Sequence, residues 1–115
     1  MAVLWNKTKN LRVVEDLHEA ASFWSRLKGL LGRTSLPAHE ALLLRRANNI
    51  HTCFMRFPID VVFVNKDFVV KKIARNVAPW HLYIGSWNSK HVIECAAGIA
   101  AIDKVSVGDQ LHVDC

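Results

Sequence analysis

Two ionisable side chains, His51 and Asp60, flank an apolar turn in the stretch Asn49-Ile-His-Thr-Cys-Phe-Met-Arg-Phe-Pro-Ile-Asp-Val-Val-Phe-Val-Asn65. An imidazole exchanges protons near neutral pH and a carboxylate can orient it, so the pair holds two parts of a general acid–base site. A nucleophile is the missing part. Cys53 stands two residues from His51, and on a strand the two would share a side. Any His and Cys so spaced in a strand land that way, which makes the pair weak ground for nucleophilic catalysis. His51, Cys53, Met55 and Asp60 also each carry a metal-ligating atom, but two strands rarely deliver four ligands from this spacing, and no metal or other cofactor is expected. The third reading is structural: Asp60 accepts backbone N–H bonds and caps the link between two strands.

These residues need elements to hold them. Val61-Val-Phe-Val64 is β-branched and aromatic without polar alternation, the pattern of a strand buried on both faces. Pro58 cannot donate to a ladder, so that strand starts after it. Ile50 to Phe54 reads as a preceding strand, and the segment 49–65 is expected to double back on itself at the heart of a small closed sheet. Asn65-Lys-Asp67 is a turn, and Phe68-Val-Val-Lys-Lys-Ile73 returns to complete a hairpin. Upstream, Val3–Trp5 and Leu11–Val14 flank the polar turn Lys7–Asn10 as a further hairpin. Asp16 has the look of an N-cap, with Glu19 three residues on as in a capping box, and Leu17, Ala20, Ala21, Trp24, Leu27 and Leu31 follow at helical spacing. The spacing predicts one helix over about residues 16–31, with Gly29 and Gly32 as C-caps and Arg33 where the chain leaves it. Ala41–Leu44 and His91–Ala96 are strands. Ala97–Ile102 is one or two helical turns, and Val107-Gly-Asp109 turns the chain into a last strand over Gln110–Val113. Seven or so short strands with one helix predict an α+β, β-rich fold, a small, mostly antiparallel, partly closed β-barrel.

The 115 residues make one domain, and 51% hydrophobic content suffices for a core without staples. No stretch approaches a membrane span. Met1-Ala-Val-Leu-Trp5 meets Asn6 and Lys7 too soon for a signal-peptide apolar region, so a cytoplasmic protein is expected, unless the chain is the processed form of an exported one. Cys53, Cys95 and Cys115 are an odd count with no Cys-x-x-Cys spacing, against both a disulfide framework and a zinc site. Cys53 and Cys95 read as core residues and Cys115 as exposed. The net charge is +5, but no recognition motif accompanies the basic pairs, so nucleic acid is not an expected partner. His18, His39, His81, His91 and His112 are scattered and read as surface or edge residues. Trp80, Tyr83 and Trp87 gather in a loop over 81–90 and its approach, either as a stacking surface for a ligand or as pins that hold the loop down.

The run His51-Thr-Cys-Phe-Met55-Arg-Phe-Pro-Ile-Asp60-Val-Val-Phe closely resembles the central motif of the family called domain of unknown function 192. Arg26-Leu-Lys-Gly-Leu-Leu-Gly-Arg33 resembles that family's Gly-Leu-Met-x-Arg segment, with Leu31 in the methionine place. Val92-Ile-Glu94-Cys-Ala-Ala-Gly98 resembles its Leu-Glu-x-x-x-Gly segment, and Val107-Gly108-Asp109 its closing turn. The resemblance spans about residues 11–113. It implies a compact β-rich domain with one helix and no particular activity. The polar residues within it, Arg33, His51, Asp60 and Glu94, form the candidate site, and Met55, Trp80, Tyr83 and Trp87 a candidate binding surface. As an enzyme the set would use His51 as base with Asp60 or Glu94 orienting it, as in a hydrolase. Because neither a catalytic nor a ligand set is complete, the favoured expectation is a binding or accessory domain, not an enzyme, that takes a small or extended ligand beside the His51–Asp60 link.

Overall fold

The computed structural model describes residues 2–20, 37–50, 57–81, 83–98 and 100–115. The strands among them are β1 (Ala2–Asn6), β2 (Leu11–Ala20), β3 (Glu40–Leu44), β4 (Asn49–Ile50), β5 (Ile59–Val64), β6 (Val70–Val77), β7 (Ile84–Gly85), β8 (His91–Ala96) and β9 (Leu111–Asp114), with one helical turn, α1 (Ala100–Asp103), before β9. Seven strands form one sheet in the order β6-β5-β8-β3-β2-β1-β9, while β4 and β7 pair separately. Neighbours in the large sheet run antiparallel except β2 and β3, which run parallel. A parallel pair needs a crossover of about a dozen residues or more, a length that residues 21–39 supply.

The sheet curls into a half barrel, and its two edges meet at one end. Val69 bridges Gln110, and Val70 N–H donates to the Asp109 carbonyl at 2.9 Å while Leu111 N–H donates to the Phe68 carbonyl at 2.8 Å. The β-rich, partly closed barrel expected from the strand pattern is therefore what forms. Beside the closure the Asp109 carboxylate accepts from Asn6 Nδ2 at 2.7 Å and from Ser106 N–H at 2.9 Å, and pairs with Lys9 Nζ at 3.0 Å.

Each strand of the central trio divides its side chains between two cores. Val62, Val64, Ile93, Cys95, Ala41 and Leu43 face one cluster, joined by Leu4, Leu17 and Leu111 and by Ala101, Ile102 and Val105 in and after α1. Ile59, Val61, Phe63, Val92 and Leu42 face the other, with Ile50, Phe57 and Val77. Covered on both faces, β5 is buried at all six positions, the physical reason its sequence shows no alternation. β5 does begin directly after Pro58, and the Asn65 turn closes the β5–β6 hairpin, with Asn65 Oδ1 accepting from Asp67 N–H and Val69 N–H.

Two expectations are corrected. The helix does not start at Asp16, because β2 continues as a strand to Ala20. Asp16 to Ala20 pair with Glu40 to Leu44, and Asp16 N–H donates to the His39 carbonyl rather than opening a helix. Val14, Leu17 and Ala20 fit a helical stripe, but ladder partners on both sides of β2 override that local preference. The rest of the expected helix, with its caps at Gly29 and Gly32, lies outside the described residues. Among its described residues, segment 49–65 also does not pair with itself: β4 joins β7, and β5 joins β6 and β8. Among the described residues no helix is long and apolar enough to cross a membrane.

Candidate functional site

Asp60 is the second residue of β5 and is 1% exposed. Between the pairs Ile59–Val77 and Val61–Ala74, β5 has one residue and β6 has two, Arg75 and Asn76. This is a β-bulge, and Asn76 sits in it at φ 51, a left-handed conformation that asparagine tolerates better than most residues. The bulge aims the Asn76 N–H at Asp60 Oδ1, 2.7 Å away. The other oxygen, Oδ2, accepts from Gly98 N–H at 3.1 Å, where the chain turns after β8 with Gly98 at φ +75. One carboxylate thus fastens a bulge and a turn from strands on either side of β5. It caps backbone donors, those of Asn76 and Gly98, while residues 54–56 of the link expected to supply them lie outside the described residues. A cavity of about 310 Å³ opens beside it, lined by Pro58, Asp60, Arg75, Asn76, Ala97 and Gly98. Arg75 crosses from this rim to Asp103, with Nη1 2.9 Å from the carboxylate.

Glu94, on β8, is fully buried and does not share this cavity. The ladder pairs Asp60 with Cys95 and Val61 with Glu94. Directly paired residues share a face and successive residues alternate, so Asp60 and Glu94 point to opposite sides of the sheet. Glu94 is flanked by Val61 on one side and Leu42 on the other, within the second core, and it is not without a polar partner there. Arg33, His51, Cys53 and Met55 lie outside the described residues, so of the candidate polar set Asp60 and Glu94 are placed, on adjacent strands and apart.

Cys95 is not a nucleophile in waiting. Burial pushes the Cys95 thiol up to about 12, and the nearby Asp60 and Glu94 carboxylates add to the effect. Cys95 is a core residue and Cys115 is exposed, both as expected. His91 departs from its surface reading. It is buried at the far end of the β5–β8 ladder, opposite Val64, and stacks on Phe68 with ring centroids 5.1 Å apart. Its Nδ1 accepts from Arg46 N–H at 3.1 Å, and burial, then Arg45 and Lys90, hold its pKa below the ordinary histidine value. It is a neutral structural imidazole.

Trp80, Tyr83 and Trp87 are 61%, 68% and 91% exposed. Trp80 adopts φ 72, an uncommon conformation for a bulky side chain. The site residues that sequence reasoning passed over are Arg75 and Asn76. The one usable signal was Asn76 itself, a residue type that marks bulges and turns, just before the apolar Val77.

Comparison with known proteins gives a consistent picture. The model of the DUF192 family, described as uncharacterized ACR, matches residues 4–113. A UPF0127 protein of Pyrococcus horikoshii is 31% identical over 109 residues, covering 92% of this chain and 94% of the relative. A UPF0127 protein of Pyrococcus furiosus is 31% identical over 112 residues, covering 93% and 94%. Among solved structures, a protein of unknown function from Novosphingobium aromaticivorans superposes with a TM-score of 0.79 at 24% identity, covering 96% of this chain and 82% of that one. One described as a putative transcription regulator from Sinorhizobium meliloti superposes with a TM-score of 0.79 at 21% identity, covering 97% and 91%. At these identities the two structures are similar to this chain in fold alone.

Proposed function

The chain belongs to the DUF192 family, and from that premise we propose that it is a small binding or accessory domain whose ligand seats in the cavity beside Asp60. The observation that carries the reading is that both Asp60 oxygens are already engaged by backbone N–H groups. A carboxylate so engaged is a brace for the cavity wall. The separation of Glu94 onto the other face and the high thiol pKa of Cys95 argue the same way, against an acid–base or nucleophilic centre at this place. The rim supplies recognition instead: the Arg75 guanidinium offers donors to an acidic group, in fork geometry suited to a carboxylate. The exposed Trp80, Tyr83 and Trp87 would extend the contact for an elongated ligand by stacking. The left-handed Trp80 supports that part of the reading, since bulky residues held in such backbone states cluster at ligand clamps. His51, Met55 and Arg33 complete the proposed surface as it stands in the sequence. The free thiols of Cys95 and Cys115 suit a reducing compartment, in keeping with a cytoplasmic protein.

An amide-resolved NMR titration with a panel of short acidic peptides and small carboxylates tests this. At least one ligand is expected to shift the Asn76 and Gly98 amides, with the response weakened in Arg75→Ala. A panel that leaves both amides unmoved, or a binder indifferent to Arg75, removes the proposal.

A further inference from the structure

The parallel pairing of β2 with β3 brings together four side chains that the sequence keeps apart. Asp16 is directly opposite Glu40 in the ladder, His18 is one strand repeat further along β2, and His39 immediately precedes β3. Donor atoms of Asp16, His39 and Glu40 all lie within 4.8 Å of one another. His18 Nε2 is 3.1 Å from Asp16 Oδ2 and 3.7 Å from Glu40 Oε1. We propose that these residues form a binding site for a divalent first-row transition cation, with Asp16, His39 and Glu40 as ligands and His18 as the fourth.

Three features support it. First, donors around a tetrahedral zinc at about 2.0–2.2 Å stand roughly 3.3–3.6 Å apart, and the two His18 distances bracket that separation. Second, Asp16 and Glu40 put two carboxylates at one register pair, so that two anionic ligands face the same point between the strands. Third, Asp16 Oδ1 is buried from solvent without a hydrogen-bond partner, although such an atom ordinarily has one. An imidazole and carboxylate set without thiolate suits zinc, nickel or copper, and is a poor cage for magnesium, which demands octahedral oxygen ligation. The site bridges two paired strands that the chain connects through the long segment 21–39, so a bound cation would clamp the parallel pair. No Cys-x-x-Cys or His-x-His spacing announces it, because its ligands come from two strands whose adjacency the sequence does not print.

The test is calorimetric titration of ZnCl₂ into the metal-stripped chain carrying Cys115→Ser, which removes an exposed thiol as a competing ligand. One zinc per chain is expected, with no binding heat from MgCl₂, and zinc should raise the melting temperature as any ligand of the folded state does. His39→Gln alters an exposed imidazole and should leave the zinc-free melting temperature alone, and His39→Gln and His18→Gln should each weaken zinc by at least about tenfold. His112→Gln, elsewhere on the surface, should bind as the parent does. Absence of zinc binding, or an affinity that moves by less than that in both histidine variants, overturns the site. Neither result bears on the cavity beside Asp60, which lies on other strands.

Discussion

Asp60 and Asp109 are both buried aspartates, and each ties together segments distant in sequence, yet they do so in different ways. Asp109 is held largely by side chains, Asn6 and Lys9, together with the Ser106 N–H, and it stands beside the closure of the half barrel. Among the described residues, Asp60 is held by main-chain donors, from a bulge and a turn, beside an open cavity. A carboxylate anchored by side chains can be lost with some compensation, because Asn6 also reaches the Lys104 carbonyl and water can reach Lys9. One that satisfies backbone N–H groups has no substitute, since those groups cannot turn away.

The largest expected effect follows. Asp60→Ala leaves the Asn76 and Gly98 donors without their acceptor, and should destabilise the fold by about 1–3 kcal/mol in chemical denaturation. Asp60→Asn should recover little of this, because its amide must turn one N–H donor toward a donor. A melting profile unchanged in Asp60→Ala breaks the contrast and returns the carboxylate to a purely functional role.

Asp109→Ala comes next, at about 1–2 kcal/mol, from the lost Asn6, Ser106 and Lys9 contacts. Its pH dependence sharpens the comparison. Burial alone would raise the Asp109 pKa, but the bonds from Asn6, Ser106 and Lys9 outweigh it and hold the group below the ordinary value of 3.8. A depressed folded-state pKa contributes stability that is full above the unfolded value and disappears as pH falls through the folded one. Denaturant midpoints measured from pH 5 to pH 2 should therefore converge for parent and Asp109→Asn below about 3.8. Midpoints that stay equally far apart at both ends would show that the ionised state of Asp109 contributes nothing.

These contrasts also mark what the sequence could disclose. The buried run Val61–Val64, the Pro58 boundary and the Asn65 turn declare β5 and its hairpin because each signal is local. The burial of Asp60 was legible too, as a carboxylate at the mouth of an apolar strand. Its partners were not. Asn76 and Gly98 are 16 and 38 residues away, and which strand flanks β5 is decided by packing across the whole sheet. The same limit explains Asp16 and Glu19, whose capping-box spacing is a true local preference that pairing with β1 and β3 overrules. The opposite facing of Asp60 and Glu94 follows from a register that periodicity alone does not fix.

Gly98→Ala probes the Asp60 side of the comparison with a gentler change. No atom lies within 4 Å of where the new Cβ would stand, so the cost is purely conformational, from φ +75. An L-residue in that region costs about 1–2 kcal/mol, less whatever the unfolded chain loses in entropy, so a net loss near 1 kcal/mol is expected. If the turn relaxes instead, the Gly98 N–H swings off Oδ2, and its amide hydrogen exchange rises while that of Asn76 stays protected. Equal acceleration at both amides would mean the bulge and the turn open as one unit.

The smallest expected effect belongs to a third buried ionisable group, His91, at the end of the β5–β8 ladder away from Asp60. Burial and the flanking Arg45 and Lys90 hold its pKa below 6.5, and its neutral Nδ1 accepts the Arg46 N–H. Here too the unfolded state takes up protons first as pH falls, so stability is complete above 6.5 and drains away below it, well before Asp109 begins to titrate. His91→Gln keeps an amide oxygen that can accept from Arg46 N–H and removes the titration. The parent's midpoint should slope downward between pH 6.5 and pH 5 relative to this variant. Parallel curves over that window would mean the imidazole charges as readily in the folded chain as in the unfolded one, and the packing of His91 against Phe68 would not be what keeps it neutral.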